Sequence, residues 1–240
     1  MSAYGISGLP IRVVEMILAL DSSTPWLGVA AVEGKEVLFQ VVHYTRMEHS
    51  LLLLEYLKVI QDRFSLRERL ERVLVGLGPG SFTGVKVGNM IAKGLAYAFR
   101  VPLLGFSVLE LLASQTRRLH VASSFEVIVP VIFHRKGEIF WSEFPLSSTR
   151  LAAPPLVGSP EEFVARYAGE TGVLVVTPWG GLFEEFEKAG LSCLRPDLAV
   201  PNPLELVVMS WEREESGSFE NVFTMLPLYG SRVFERQGSR

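Results

Sequence analysis

At 240 residues and 48% apolar content the chain can bury a substantial core, and its length lies between one large domain and two small ones. A net charge of -3 and a pI near 5.9 exclude the global basic field of a stand-alone RNA binder, so any RNA contact is expected to be local or through a partner. The single cysteine, Cys193, excludes an internal disulfide and a Cys-rich zinc site, and no apolar run reaches the roughly 20 residues of a membrane span, which together suit a soluble, cytoplasmic protein.

Met1 to Glu15 do not read as a signal peptide, and Met16 opens the next stretch as an initiating methionine would. Residues 1–15 are therefore expected to be an appended leader or a mis-assigned start. Ile17 to Leu20 is a short buried-strand run ending in Asp21, followed by the small polar residues Ser22, Ser23 and Thr24. Leu27–Val32 and Glu36–His43 flank a Glu-Gly-Lys turn and predict a hairpin. Met47 to Phe64 lacks Gly and Pro and repeats Leu53, Leu57, Ile60 and Phe64 at helical spacing. Its consecutive leucines, Leu51 to Leu54, exceed one buried face, so either both sides are covered within the chain or one meets another protein.

The run Val73–Val75 predicts a strand, and Gly76, Gly78, Gly80 and Gly84 around Pro79 predict a strand-to-helix turn. Such turns aim unpartnered helix-start N–H groups at an anion. The spacing fits neither known phosphate loop: Thr83 occupies the second glycine of a Walker-type loop counted from Gly78, Lys86 is not adjacent to Gly84, and Thr83 also fills the third slot of the dinucleotide pattern. In the helix that follows, Gly84, Gly88, Ala92 and Ala96 form a row almost without side chains, which admits a close neighbour from the same sheet or from a partner. Val87, Ile91, Leu95 and Ala98 make the adjacent apolar stripe. Pro102–Phe106 and Val108–Leu119 predict one more strand and helix, which completes a sheet partly parallel and helix-covered.

Beyond this, Val127–Phe133 and Glu138–Phe144 predict a second hairpin, and Ser159, Pro160 and Glu162 a capped helix to about Tyr167. Val173–Thr177 predicts a strand, Leu182–Ala189 a helix stopped by Gly190, and Asn202-Pro203 opens a helix to about Glu214.

The string Gly78 to Gly88, GPGSFTGVKVG, resembles the GPGSFTG-[VL]-[RK]-[IV]-G signature of the TsaB (YeaZ) family, bacterial proteins needed to make threonylcarbamoyladenosine in tRNA. The resemblance continues in order through ILALDSST (Ile17–Thr24), HSLLLL (His49–Leu54) and VPLLGFSVLELLA (Val101–Ala113), close from Met16 to about Ala113 and loose beyond. It implies an α/β protein of the actin-like ATPase (ASKHA, ribonuclease-H-like) fold, with a first lobe at 16–119 and a reduced second lobe at 120–240 whose C-terminal tail can return to the first. Leu226–Tyr229 resembles the family's closing strand, with Gly230 in place of the usual branched residue. Where the family has Asp-Ala-Arg, this chain reads Phe133-His134-Arg135 and lacks that Asp.

The same resemblance implies a non-catalytic scaffold that acts with TsaD, the larger catalytic relative, and with the small ATPase TsaE, and reaches tRNA through that complex; the surplus apolar surface of Leu51–Leu54 predicts a homodimer when the chain is alone. The histidine pair that holds a metal in TsaD is missing: Gly105–Leu111 contains no histidine, and His43, His49, His120 and His134 form no HxxxH or HExxH pair. Ser81 is not in a Gly-x-Ser-x-Gly elbow, which gives a peptidase reading no visible nucleophile. The expectation is thus no catalytic and no metal residue, and an interface of His49, Leu51, Leu54, Gly88, Ile91, Ala92 and Leu95 on two helices. The competing reading is an actin-like ATPase or small-molecule kinase. It would hold ATP or ADP with magnesium at Asp21, Ser22, Gly78, Gly80, Ser81, Thr83 and Gly84, at low affinity or at the partner interface.

Overall fold

The computed structural model describes residues 15–45, 48–135, 137–148, 153–214 and 224–228; of the expected leader, all but Glu15 lies outside them. β1 (Met16–Asp21) is buried along its whole length, as an unbroken apolar strand covered on both faces must be. It pairs antiparallel with β2 (Trp26–Glu33), which turns through Gly34 at φ +58° into the antiparallel edge strand β3 (Glu36–Tyr44). α1 (His49–Phe64) and the short α2 (Leu66–Arg69) lead into β4 (Leu70–Gly76), parallel to β1. α3 (Phe82–Phe99) then crosses to β5 (Leu103–Phe106), parallel to β4, and α4 (Val108–Arg117) follows. The sheet order is β3-β2-β1-β4-β5, with the first three strands antiparallel and the last two parallel to the first.

The second sheet repeats this order with shorter strands. β6 (Val127–Arg135), β7 (Glu138–Trp141) and β9 (Leu156–Gly158) run antiparallel in succession, and β10 (Val173–Val176) and β11 (Cys193–Leu194) add in parallel on the other side of β6. The small strand β8 (Phe144–Pro145) also pairs with β6. α5 (Pro160–Tyr167) and α6 (Gly180–Lys188) occupy the places that α1 and α3 hold in the first sheet, and α7 (Pro203–Glu214) that of α4. Two copies of the 3-2-1-4-5 order, the second reduced, make this the actin-like, ribonuclease-H-like α/β fold. The cap of α5 is the expected one, with Ser159 and Glu162 exchanging side-chain-to-backbone hydrogen bonds.

The helix that ends each half packs on the other half's sheet, α4 on β6 and β10 and α7 on β1, β2 and β4. The first two turns of α4 are enclosed, burying Val108 through Ser114 on every side. One apolar cluster fills the space between the sheets, including Ile17, Leu74, Phe106, Leu112, Ile132, Phe140 and Leu206. A second lies under α1 and α3, a third under α5 and α6. Polar ties fix the two central helices: Ser114 Oγ donates to Glu205 at 2.5 Å, and Arg118 Nε donates to the same carboxylate at 3.0 Å. Residues 224–228 lie back on the first half, where Met225 is buried, its carbonyl accepts from Lys93 Nζ at 2.6 Å, and Leu228 N–H donates to Leu77 O at 2.8 Å. Leu226–Leu228 form no strand, and Tyr229 of the expected closing strand lies outside the described residues.

Candidate functional site

Asp21 ends β1, and the polar residues after it fold down onto the glycine loop. Asp21 is buried; its Oδ1 accepts from Ser23 N–H at 3.1 Å and Ser23 Oγ at 2.7 Å, while Oδ2 has no hydrogen-bond partner among the described residues. Burial pushes the Asp21 carboxyl above the ordinary aspartate range, against the opposing pull of the Ser23 hydrogen bonds and of His49 nearby. The glycines explain how the two segments come so close. A Cβ on Gly76 would stand 2.2 Å from Asp21 Oδ1, one on Gly80 2.0 Å from Ser23 O, one on Gly84 2.0 Å from Ser22 O, and one on Gly88 2.3 Å from Ser22 Oγ.

Two N–H donors at the start of α3 are turned to internal use. Ser81 N–H donates to Ser23 O at 2.8 Å, Gly84 N–H to Ser81 Oγ at 3.0 Å as the cap of α3, and Ser22 Oγ donates to Gly84 O at 2.8 Å. Gly78, at φ +88° before a cis peptide to Pro79, accepts from Val108 N–H through its carbonyl at 2.8 Å. Thus Asp21, Ser22, Gly80, Ser81 and Gly84 lie together through contact between the two segments, with Gly78 next to Gly80 in the same loop. Thr83 is exposed beside them. Asn89, which sequence reasoning passed over, is also buried there and donates to Gly76 O at 3.1 Å and Val85 O at 2.8 Å. Its signal was a polar residue on the small-residue side of the helix.

The expected interface divides. On α1 the leucine run resolves into Leu53 in the core, Leu52 half-buried against it, and Leu51 and Leu54 each 57% exposed. Ile91 and Leu95 of α3 are half-buried and pack on the same core. His49 is not an outward group, because its Nε2 donates to Thr24 O at 2.9 Å and ties the start of α1 to the β1 loop. Gly88 and Ala92 must be removed from the interface: with Gly84 and Ala96 they are buried within the chain, since that row exists to seat α3 on Ser22 and the sheet. In their place α3 exposes Met90 at 63% and Tyr97 at 67%, large residues on the helix side opposite the small row. α1 and α3 touch on the outer side of the first sheet, so Leu51, Leu54, Met90 and Tyr97 belong to one helical layer. α3 carries Lys86 and Lys93 and no carboxylate, whereas the two carboxylates of α1, Glu55 and Asp62, are balanced by Lys58 and Arg63.

Cys193 is half-buried on β11, where burial pushes its thiol up to about 12, consistent with an apolar filler. His134 sits against Phe140 and 3.8 Å from Glu138. Among the described residues no three His, Cys, Asp or Glu side chains form a metal-sized cluster, and no helix is long and apolar enough to cross a membrane.

Comparison with known proteins places this geometry. The family model described as "TsaD: tRNA N6-adenosine threonylcarbamoyltransferase" matches residues 43–175, more than half of the chain. The tRNA threonylcarbamoyladenosine biosynthesis protein TsaB of Bacillus subtilis is 30% identical over 125 residues, 52% of this chain and 52% of that protein, so the match spans about half the length of that relative. The TsaB protein of Haemophilus influenzae is 28% identical over 205 residues, 81% of this chain and 84% of that protein. The structure of YeaZ from Pseudomonas aeruginosa superposes with a TM-score of 0.72 at 25% identity, covering 90% of this chain and 100% of YeaZ. With the signature loop, the doubled sheet order and these matches, the chain belongs to the TsaB (YeaZ) family, relatives of TsaD.

Proposed function

We propose that this chain is a non-catalytic partner subunit in forming threonylcarbamoyladenosine in tRNA. In this reading TsaD transfers the threonylcarbamoyl group from threonylcarbamoyl-adenylate to N6 of the adenosine beside the anticodon, TsaE is a further partner, and tRNA meets this chain through the complex. The observation that carries it is the outer layer of α1 and α3, where Leu51, Leu54, Met90 and Tyr97 are all more than half exposed. Four large apolar side chains in one layer are costly to leave in water and are usually covered by a protein partner. TsaD is the proposed cover in the complex, and a second copy of this chain when TsaD is absent.

The nucleotide reading is the weaker one on the same grounds. The Ser81 and Gly84 N–H groups are spent on Ser23 O and Ser81 Oγ, and the space that phosphates would need beside Gly80 and Gly84 is taken by the backbone of Ser22 and Ser23. The test is reconstitution from purified components with threonylcarbamoyl-adenylate and tRNA. Transfer should require TsaD and rise on adding this chain, and titration of the chain alone with ATP and magnesium should give no micromolar binding. Transfer or ATP turnover by the isolated chain would overturn the proposal.

A further inference from the structure

Four aromatic rings from both halves of the molecule converge at one place that the family matches leave unexplained. Trp26 opens β2 just after the Asp21–Thr24 loop, and Trp179 caps α6 just after β10. Both segments follow the carboxyl end of a parallel strand, where open α/β sheets bind their ligands. The two indoles meet across the halves edge to face, with centroids 5.6 Å apart and planes at 88°. Tyr44 braces Trp26 at 5.3 Å, and Phe133 lies 6.5 Å from Trp179.

We propose that Trp26 and Trp179 form a clasp that fills the mouth of the crevice between the two sheets and holds the halves closed without a ligand. Burial separates this from ordinary core filling, because Tyr44 is 52% and Phe133 37% exposed, which puts the cluster at the surface. Each side is anchored in its own half. Trp179 packs against both the central cluster and the one under α5 and α6. The backbone of Trp26 is held by Thr24, whose Oγ1 accepts from Trp26 N–H at 3.3 Å and donates to Trp26 O at 3.3 Å. The Thr24 carbonyl in turn holds His49, and Ser22 and Ser23 cover the glycine loop. Opening the clasp therefore loosens the segment that closes the glycine loop, and perpendicular edge-to-face rings are the favoured geometry for such a contact.

Native-state hydrogen exchange on the full chain tests this with Trp26→Leu, Trp179→Leu and the double variant. Each single change should speed exchange in residues 21–28 and 76–85 by about fivefold, the scale of one lost aromatic pair. The double variant should fall short of the product of the two single effects, since the Trp26–Trp179 contact is lost in both. Trp26→Phe, which keeps a ring edge, should stay within about twofold of wild type and serves if Trp179→Leu does not fold. Unchanged exchange in those segments, multiplying effects in the double variant, or acceleration spread evenly over the chain would overturn the clasp.

Discussion

Gly76 lies against the carboxylate of Asp21 so closely that a Cβ on it would stand 2.2 Å from Oδ1. The end of β4 and the end of β1 are thus fitted to each other at a position where only glycine is accommodated, and the same holds for Gly80 against Ser23 O and Gly84 against Ser22 O. Gly80→Ala and Gly84→Ala push a methyl into backbone, which has no flexible end to yield. Each should cost about 1–3 kcal/mol or more in denaturant unfolding. Gly94→Ala, on the same helix with open space around it, should be neutral or slightly stabilising.

Asp21 gives a pH signature. Because burial raises its pKa in the folded chain, the folded state holds the proton at pH values where the unfolded state has released it. Its contribution to stability is therefore greatest below the unfolded-state pKa and declines as pH rises through the folded-state pKa. Asp21→Asn, which cannot ionise, should be more stable than wild type at pH 7, with the difference shrinking as pH falls into the ordinary aspartate range. Urea midpoints measured across that range check the sign; a variant less stable at pH 7 would show that the charged form is the one the fold needs.

The central helices offer a second stability test. Glu205 is buried and accepts from both Ser114 and Arg118, which ties α7 to α4 across the layer between the sheets. Glu205→Ala leaves a buried hydroxyl and a half-exposed guanidinium without their shared acceptor, and should lower stability by about 2 kcal/mol. Pairing it with Arg118→Ala should give less than the sum of the two single effects.

Much of this was legible in the residues because local signals agreed with the fold. The Ser159/Glu162 capping box, the Gly34 and Gly190 turns and the apolar strand at Ile17–Leu20 each appear close to where pattern places them. The two-residue strands β8 and β11 carry no period to read, and the burial of the first two turns of α4 on all sides follows from its crossing to the other sheet, which no local pattern encodes. The site was misread in one respect for a similar reason. The row Gly84, Gly88, Ala92 and Ala96 announces a close neighbour, but only the fold shows that the neighbour is the chain's own Ser22 segment and sheet. Met90 and Tyr97 were legible as bulky residues opposite that row.

The central claim, that the outer layer of α1 and α3 is where a protein partner docks, is tested most directly by Leu51→Glu and Leu54→Glu. Both side chains are more than half exposed, so the variant monomer should melt within a few degrees of wild type. In the complex each carboxylate would be buried without a counter-ion, which weakens association by several kcal/mol. The measurement is sedimentation of the chain alone, together with capture of TsaD from the same organism. Loss of both self-association and TsaD capture with an intact melting curve is the expected result; unchanged association in both variants, or unfolding of the monomer, would contradict it.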